Sequence, residues 1–125
     1  MPKRDTLPGP HEFDFHRARR RSYRAAMLPL EKVTRAEFAA CIDTPFELIT
    51  ETHGFVLTLV ETRNLGPARP GAARKPFALK FRGTPEMRLP QQIHQLHHCQ
   101  MGAMEIFLVQ IGVDAGGSYF EAVFN

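Results

Sequence analysis

The residues best suited to chemistry are crowded into one short run, His94-Gln95-Leu96-His97-His98-Cys99, with His53 elsewhere in the chain. Imidazole nitrogens and a thiolate at short spacing are what zinc or copper takes. On an extended strand, however, successive side chains point to opposite faces. His94 and His98 then point one way, and His97 and Cys99 the other. One ion cannot take all four without a bulge, and His94 and His98 alone lie too far apart for a close pair. The reading this supports is a polar, half-buried strand end, with no metal and no cofactor. A Cys99/His98 nucleophile pair fails for the same reason, since neighbours on a strand face opposite sides. Glu61 and Glu121 are acids on otherwise apolar strands, which makes a buried carboxylate pair conceivable. Outward positions in alternating strands explain them more simply. No nucleophile, base and orienting group can be named together, so no catalytic residue is expected.

A second chemical feature lies near the N-terminus. Arg17, Arg19, Arg20, Arg21 and Arg24 could neutralise phosphates, and Tyr23 could stack on a base. Such binding would weaken steeply with salt. Seven basic residues against three acids precede Met27, so this stretch carries +4 of a total of +3, and the rest of the chain is close to neutral. The high isoelectric point therefore belongs to the arm and is not evidence that the body binds nucleic acid.

The elements that must position these groups can be read from periodicity. Residues 1–27 mix Pro, Gly, His and Arg without a period and read as a flexible basic arm; residues 28–125 read as one compact β domain. Thr34-Arg35-Ala36-Glu37 has the spacing of a capping box and opens a short helix. Phe38, Cys41 and Ile42 would face the core, and Asp43-Thr44-Pro45 ends the helix. After Pro45 the period becomes two. Phe46 and Leu48, then Phe55, Leu57 and Leu59, then Phe77, Leu79 and Phe81 form inward rows. The segment Leu65–Pro76, rich in Pro, Gly and basic residues, must be a long loop. Weaker alternation at 92–98, an apolar strand at 104–113, a turn at Asp114–Gly117 and a last strand at 119–124 complete the chain. Six strands with regular turns predict a mainly β fold, a small antiparallel barrel or sandwich with a short N-terminal helix.

Composition agrees. With 125 residues, 43% hydrophobic and 23% charged, the chain is a single ordinary globular domain, with ten Phe to fill a small core. Cys41 and Cys99 fit no zinc-ribbon or CxxC spacing and read as free thiols of a reducing, cytoplasmic compartment. No apolar run is long enough to span a bilayer, so no membrane insertion is expected.

Val56, Val60, Phe107, Val109 and Ile111 fall on faces where an open sheet of a monomer would show polar residues. Strands apolar on both faces need cover on both. Either the helix and the long loop supply it, or another protein chain does.

The order LEKVTRAEF, PFELI, LVETRNLGPARPGAARKPFALKFRG, LPQQIHQLHH, MEIFLVQIG and DAGGSYFEAVFN, from about Leu30 to Asn125, resembles the bacterial domain of unknown function 6916 family. That resemblance brings no assigned chemistry. The resemblance implies genes that often lie near phage-tail-collar-like and microcystin-dependent-type proteins and, by that association, an accessory of a tail-like or secreted fibre system. It also implies a start near Met27, which would leave residues 1–26 as an addition or a misassigned start. His94, His97 and Cys99 depart from the family pattern, which looks more often like Tyr, Glu and Pro there.

These readings converge on a non-catalytic protein-interaction or assembly module that binds another chain, self or hetero, through a sheet face or edge. Its candidate contacts are Val56, Val60, Phe107 and Val109, with Arg69, Arg74 and Lys75 of the long loop steering an acidic partner. The alternatives are a small-ligand-binding barrel or minor enzyme using the interior beside Phe77, Phe81 and Phe120, and nucleic-acid binding through the arm.

Overall fold

The alternation that begins at Pro45 forms six antiparallel strands: β1 (Pro45–Ile49), β2 (Gly54–Asn64), β3 (Phe77–Gly83), β4 (Gln92–His98), β5 (Gly102–Asp114) and β6 (Gly117–Phe124). The computed structural model describes residues 27–50, 54–72 and 74–125. The strands close into a barrel in the order β1-β2-β3-β6-β5-β4. Closure is made by β1, which pairs with β2 on one side and with β4 on the other, through Glu47↔His97, Leu48↔Leu96 and Ile49↔Gln95. This pairing decides between barrel and sandwich.

Each strand sends its period-two apolar row inward. Phe46, Leu48, Leu57, Leu59, Phe77, Leu79, Phe81, Leu96, Met104, Ile106, Leu108 and Phe120 are all essentially inaccessible to solvent. Phe55 packs against this core only in part.

The short helix α1 (Arg35–Ala39) closes one end of the barrel. Its capping box forms as the spacing predicts: the Thr34 amide donates to the Glu37 carboxylate at 2.9 Å. Phe38 is the plug, with its ring 5.7–6.4 Å from those of Phe46, Phe77 and Phe124. Cys41 is also buried, but Ile42 is 36% exposed. The helix is too short to hold a 3.6-residue period as far as Ile42, and the chain turns at Asp43, whose φ is 68°. There the Asp43 amide donates to the Leu59 carbonyl at 2.7 Å, next to a bulge between Leu59 and Glu61 in β2.

The other end is strapped by residues 84–89. The Ser118 hydroxyl lies within hydrogen-bonding distance of the carbonyls of Pro85 and Met87, and the Gln110 side chain holds Met87 O and the Leu89 amide. At the tip of the β5–β6 hairpin, Asp114 Oδ1 accepts from the amides of Gly116 and Gly117 and from the Tyr119 hydroxyl. Gly117 has φ 156°, and a Cβ there would press into the Gly83 carbonyl oxygen and the stem of Arg82. Gly117→Ala is therefore expected to cost about 3 kcal/mol in chemical denaturation, since the obstructing atoms belong to a paired strand that cannot move aside. An unchanged midpoint would mean that the hairpin register is softer than the pairing implies.

The long loop is pinned at its base, where the Leu65 amide donates to the Pro76 carbonyl at 3.0 Å. Among the described residues, no helix is long and apolar enough to cross a membrane.

Candidate functional site

Strand parity divides the histidines as expected. His94 and His98 point inward and are buried; His97 points outward and is half-buried; Cys99 is exposed. The His94 Nε2–H donates to the Pro90 carbonyl at 2.8 Å. Among the described residues, no three His, Cys, Asp or Glu side chains are grouped so as to hold a metal ion. His53 lies outside the described residues, as do Arg17, Arg19, Arg20, Arg21, Tyr23 and Arg24.

His98 instead joins a cluster that periodicity does not reveal. Its Nδ1 accepts from the amides of Gln100 and Met101 at 3.1 and 3.2 Å. The ring proton therefore sits on Nε2, which donates to Thr44 Oγ1 at 2.8 Å, and the Thr44 hydroxyl donates to the Cys41 carbonyl at 2.5 Å. Phe46 packs against the imidazole, ring centres 4.5 Å apart. The Cys41 thiol is 4.0 Å from Nδ1. Burial, aided by Cys99, pushes that thiol above its usual range. Burial, aided by His97, pushes the His98 imidazole below its own. Both shifts favour the neutral forms, the opposite of a thiolate–imidazolium nucleophile pair. The cluster joins α1, β1 and β4 at the end of the barrel. The parity of 94–98 was enough to send His98 inward; Thr44 and Cys41, more than fifty residues away, carried no signal.

Glu61 and Glu121 face outward. Glu61 pairs with Lys80 at 3.1 Å and Arg63 at 3.9 Å, and Arg63 reaches Glu121 at 3.0 Å. This is a ladder of partly exposed ion pairs across β2, β3 and β6, of the kind that contributes little to stability.

The apolar outward residues separate into two places. Val56, 55% exposed, and the half-buried Val60 lie on β2, where Val56 shares a shallow depression with Pro45, Glu47, His97 and Cys99. Across the barrel, Phe107 on β5 stands directly opposite Ile93 on β4; they are 49% and 61% exposed. Val109, half-buried, and Ile111 follow on β5. Val123, 53% exposed, lies on β6 two residues beyond the Val109–Glu121 pair. These five form a continuous stripe across β4, β5 and β6. Ile93 and Val123 were missing from the residues singled out in the sequence, although their parity, opposite to Leu96 and Phe124, marks them as outward. The helix, placed at the barrel end, covers none of the stripe.

The loop cations divide as well. Arg69 and Lys75 are exposed, whereas the Arg74 guanidinium turns inward, donating from Nη1 to the carbonyls of Leu30 and Val33. Phe77, Phe81 and Phe120, the interior residues of the ligand-binding alternative, are fully buried against neighbouring side chains; Phe46 and Phe81 meet edge to face at 5.2 Å.

Topology and surface together define a closed six-stranded antiparallel β-barrel with a packed interior and an apolar stripe on its outer wall. The chain belongs to the family described as Domain of unknown function (DUF6916), which matches residues 33–124. No curated protein and no solved structure gives a match.

Proposed function

We propose that this protein is a non-catalytic interaction or assembly module that binds another protein chain through the outer wall formed by β4, β5 and β6. The observation that carries this reading is the Ile93–Phe107–Val123 stripe on a barrel whose interior is already filled by its own aromatic residues. A pocketed barrel spends its inward row on a ligand; here the inward row packs on itself, and the unsatisfied apolar surface faces out. Burial of the stripe supplies affinity, and Arg69 and Lys75 at the loop steer an acidic approach. Two free thiols suit a reducing cytoplasm, and the family resemblance favours an accessory role in a tail-like or fibre assembly.

The test is a photo-crosslinking amino acid placed at Ile93 in the native host. One adduct of discrete mass is expected, absent when the probe stands at Arg82 on the polar wall and lost when Phe107→Lys is combined with the Ile93 probe. Equal labelling at both positions, or none, would end this reading.

A further inference from the structure

Both thiols of the chain come together at the end of the barrel that α1 closes. Cys41 follows the helix and is 4% exposed; Cys99 follows β4 and is exposed. They are far apart in sequence, and the His98 imidazole stands between them. The Cys41 sulfur is 4.0 Å from His98 Nδ1, and Nδ1 is 3.1 Å from the Gln100 amide nitrogen, which is two bonds from Cys99 Cα. Standard bond lengths then place Cys99 Cα within about 9.5 Å of the Cys41 sulfur at most. Burial raises the Cys41 thiol above its usual range, and Cys99 is close enough to add to the rise. We propose that Cys41 and Cys99 form a modification site, a dithiol that a hydroperoxide converts into an internal disulfide. This inference does not depend on the interaction reading above.

Exposure assigns the two roles. Cys99, open to solvent, meets the oxidant: its thiolate attacks the peroxide, the O–O bond breaks, and the sulfur is oxidised to a sulfenic acid. The leaving hydroxide or alkoxide takes up the proton that the Cys99 thiol gave. In the second step the Cys41 sulfur attacks the sulfenic sulfur, the S–S bond forms and the S–O bond breaks. The Cys41 proton passes to His98 Nδ1 and from there to the leaving hydroxide, which departs as water. Two thiols and one hydroperoxide thus give one disulfide, one water and one water or alcohol. The sulfurs cannot join where they stand, because a disulfide needs its Cβ atoms about 4 Å apart. The turn that carries Cys99 is held by His98 Nδ1, which accepts from the amides of Gln100 and Met101. Gln100 is exposed and Met101 half-buried, so this turn can rearrange in contact with water. Its inward swing frees Nδ1 beside the Cys41 sulfur, at the moment when a base is needed there. A disulfide made at the expense of those two bonds is strained and easily reduced, as a reversible response to oxidant requires.

The test is hydrogen peroxide added to the reduced full chain in native buffer, followed by intact mass and peptide mapping after an acid quench. The expected product is one intramolecular link between the peptides of Cys41 and Cys99, with the loss of two hydrogens, reversed by dithiothreitol. A cyclic 1,3-dione added to compete for the sulfenic acid reports how fast the ring closes. The ratio of link to dione adduct should be at least about ten times higher in the folded chain than in guanidinium chloride, where chance loop closure alone brings the thiols together. Cys99→Ser, at an exposed position, should leave Cys41 a free thiol under the same treatment. His98→Asn keeps an acceptor for the two amides but has no base, so its ratio should fall about tenfold while the sulfenic acid still forms. The proposal is overturned if Cys99 is oxidised while Cys41 stays a thiol, or if Cys99 links only to Cys99 of another molecule. A ratio indifferent to folding overturns it as well, and an asparagine variant that closes as fast as the wild type removes His98 from the step.

Discussion

Replacing His98 by leucine is expected to lower the stability of the barrel by about 3 kcal/mol, although leucine fills a similar volume and is more apolar. The cost arises from the groups left behind. The amides of Gln100 and Met101 lose their acceptor and the Thr44 hydroxyl loses its donor, around an imidazole that is itself 1% exposed. His98→Asn is the informative companion, because its amide oxygen can stand where Nδ1 stands and accept from the same two amides. It should lose about half as much. The wild-type protein should also weaken in acid. The unfolded imidazole titrates near its ordinary value of 6.5, while burial, aided by His97, holds the folded one lower. Between those two values the unfolded chain binds the additional proton. The stabilisation is thus complete above pH 6.5 and is lost as pH falls through 6.5 towards the folded value, with a slope of at most ~1.4 kcal/mol per pH unit. Urea midpoints from pH 5 to 8 measure it. The asparagine variant should lack this component; a matching acid slope in that variant would assign the effect to other groups.

Arg74→Ala is expected to cost about as much, roughly 3 kcal/mol, with a drop in melting temperature on the order of 12 °C or more. The side chain comes from a loop whose composition suggests only solvent exposure, yet it ties three parts of the chain together. Its guanidinium donates to the carbonyls of Leu30 and Val33 beside the helix, reaches the Asn125 carbonyl at 3.4 Å, and lies 5.4 and 5.5 Å from the ring centres of Phe77 and Phe124. Those two rings stack at 4.8 Å, so the cation covers the aromatic pair next to the Phe38 plug. Arg74→Lys should recover only part of the loss, because one ammonium can replace Nη1 at the Leu30 and Val33 carbonyls but cannot also supply the Nη2 contact with the Asn125 carbonyl and a planar cation over the Phe77 and Phe124 rings. Arg69→Ala, in the same loop but exposed, serves as the control and should leave the midpoint within about 0.5 kcal/mol of wild type. Equal effects at both positions would show that the loop acts through its overall charge and not through this one staple.

Much of the barrel is legible from residue order because its rules are local. Alternation assigned Phe46, Leu48, Leu57, Leu59, Phe77, Leu79 and Phe81 to the interior, and each is buried there. The capping box at Thr34 and Glu37, the turn of the chain at Asp43 beyond the helix and the turn after Asp114 follow from the conformational preferences of a few adjacent residues. The same parity turns Glu61 and Glu121 outward and splits the run His94, His97, His98 and Cys99 between the two faces of its strand. Where a helical period was extended past the helix, as at Ile42, it failed, because a five-residue helix does not define a face that long.

What the sequence by itself determined is therefore the face each residue takes on its own strand, and through that a small all-β domain with a helical plug. What only the tertiary structure decided is which strands are neighbours. The β1–β4 pairing that makes a barrel of what could have been a sandwich, the contact of Thr44 with His98, the inward turn of Arg74 and the joining of Ile93, Phe107 and Val123 into one stripe all depend on it. Alternation has a period of two whichever strand lies alongside, so it carries no information about partners. Long-range pairing is selected by the packing of the whole core, and the surface proposed to bind a second protein exists only once that selection has been made.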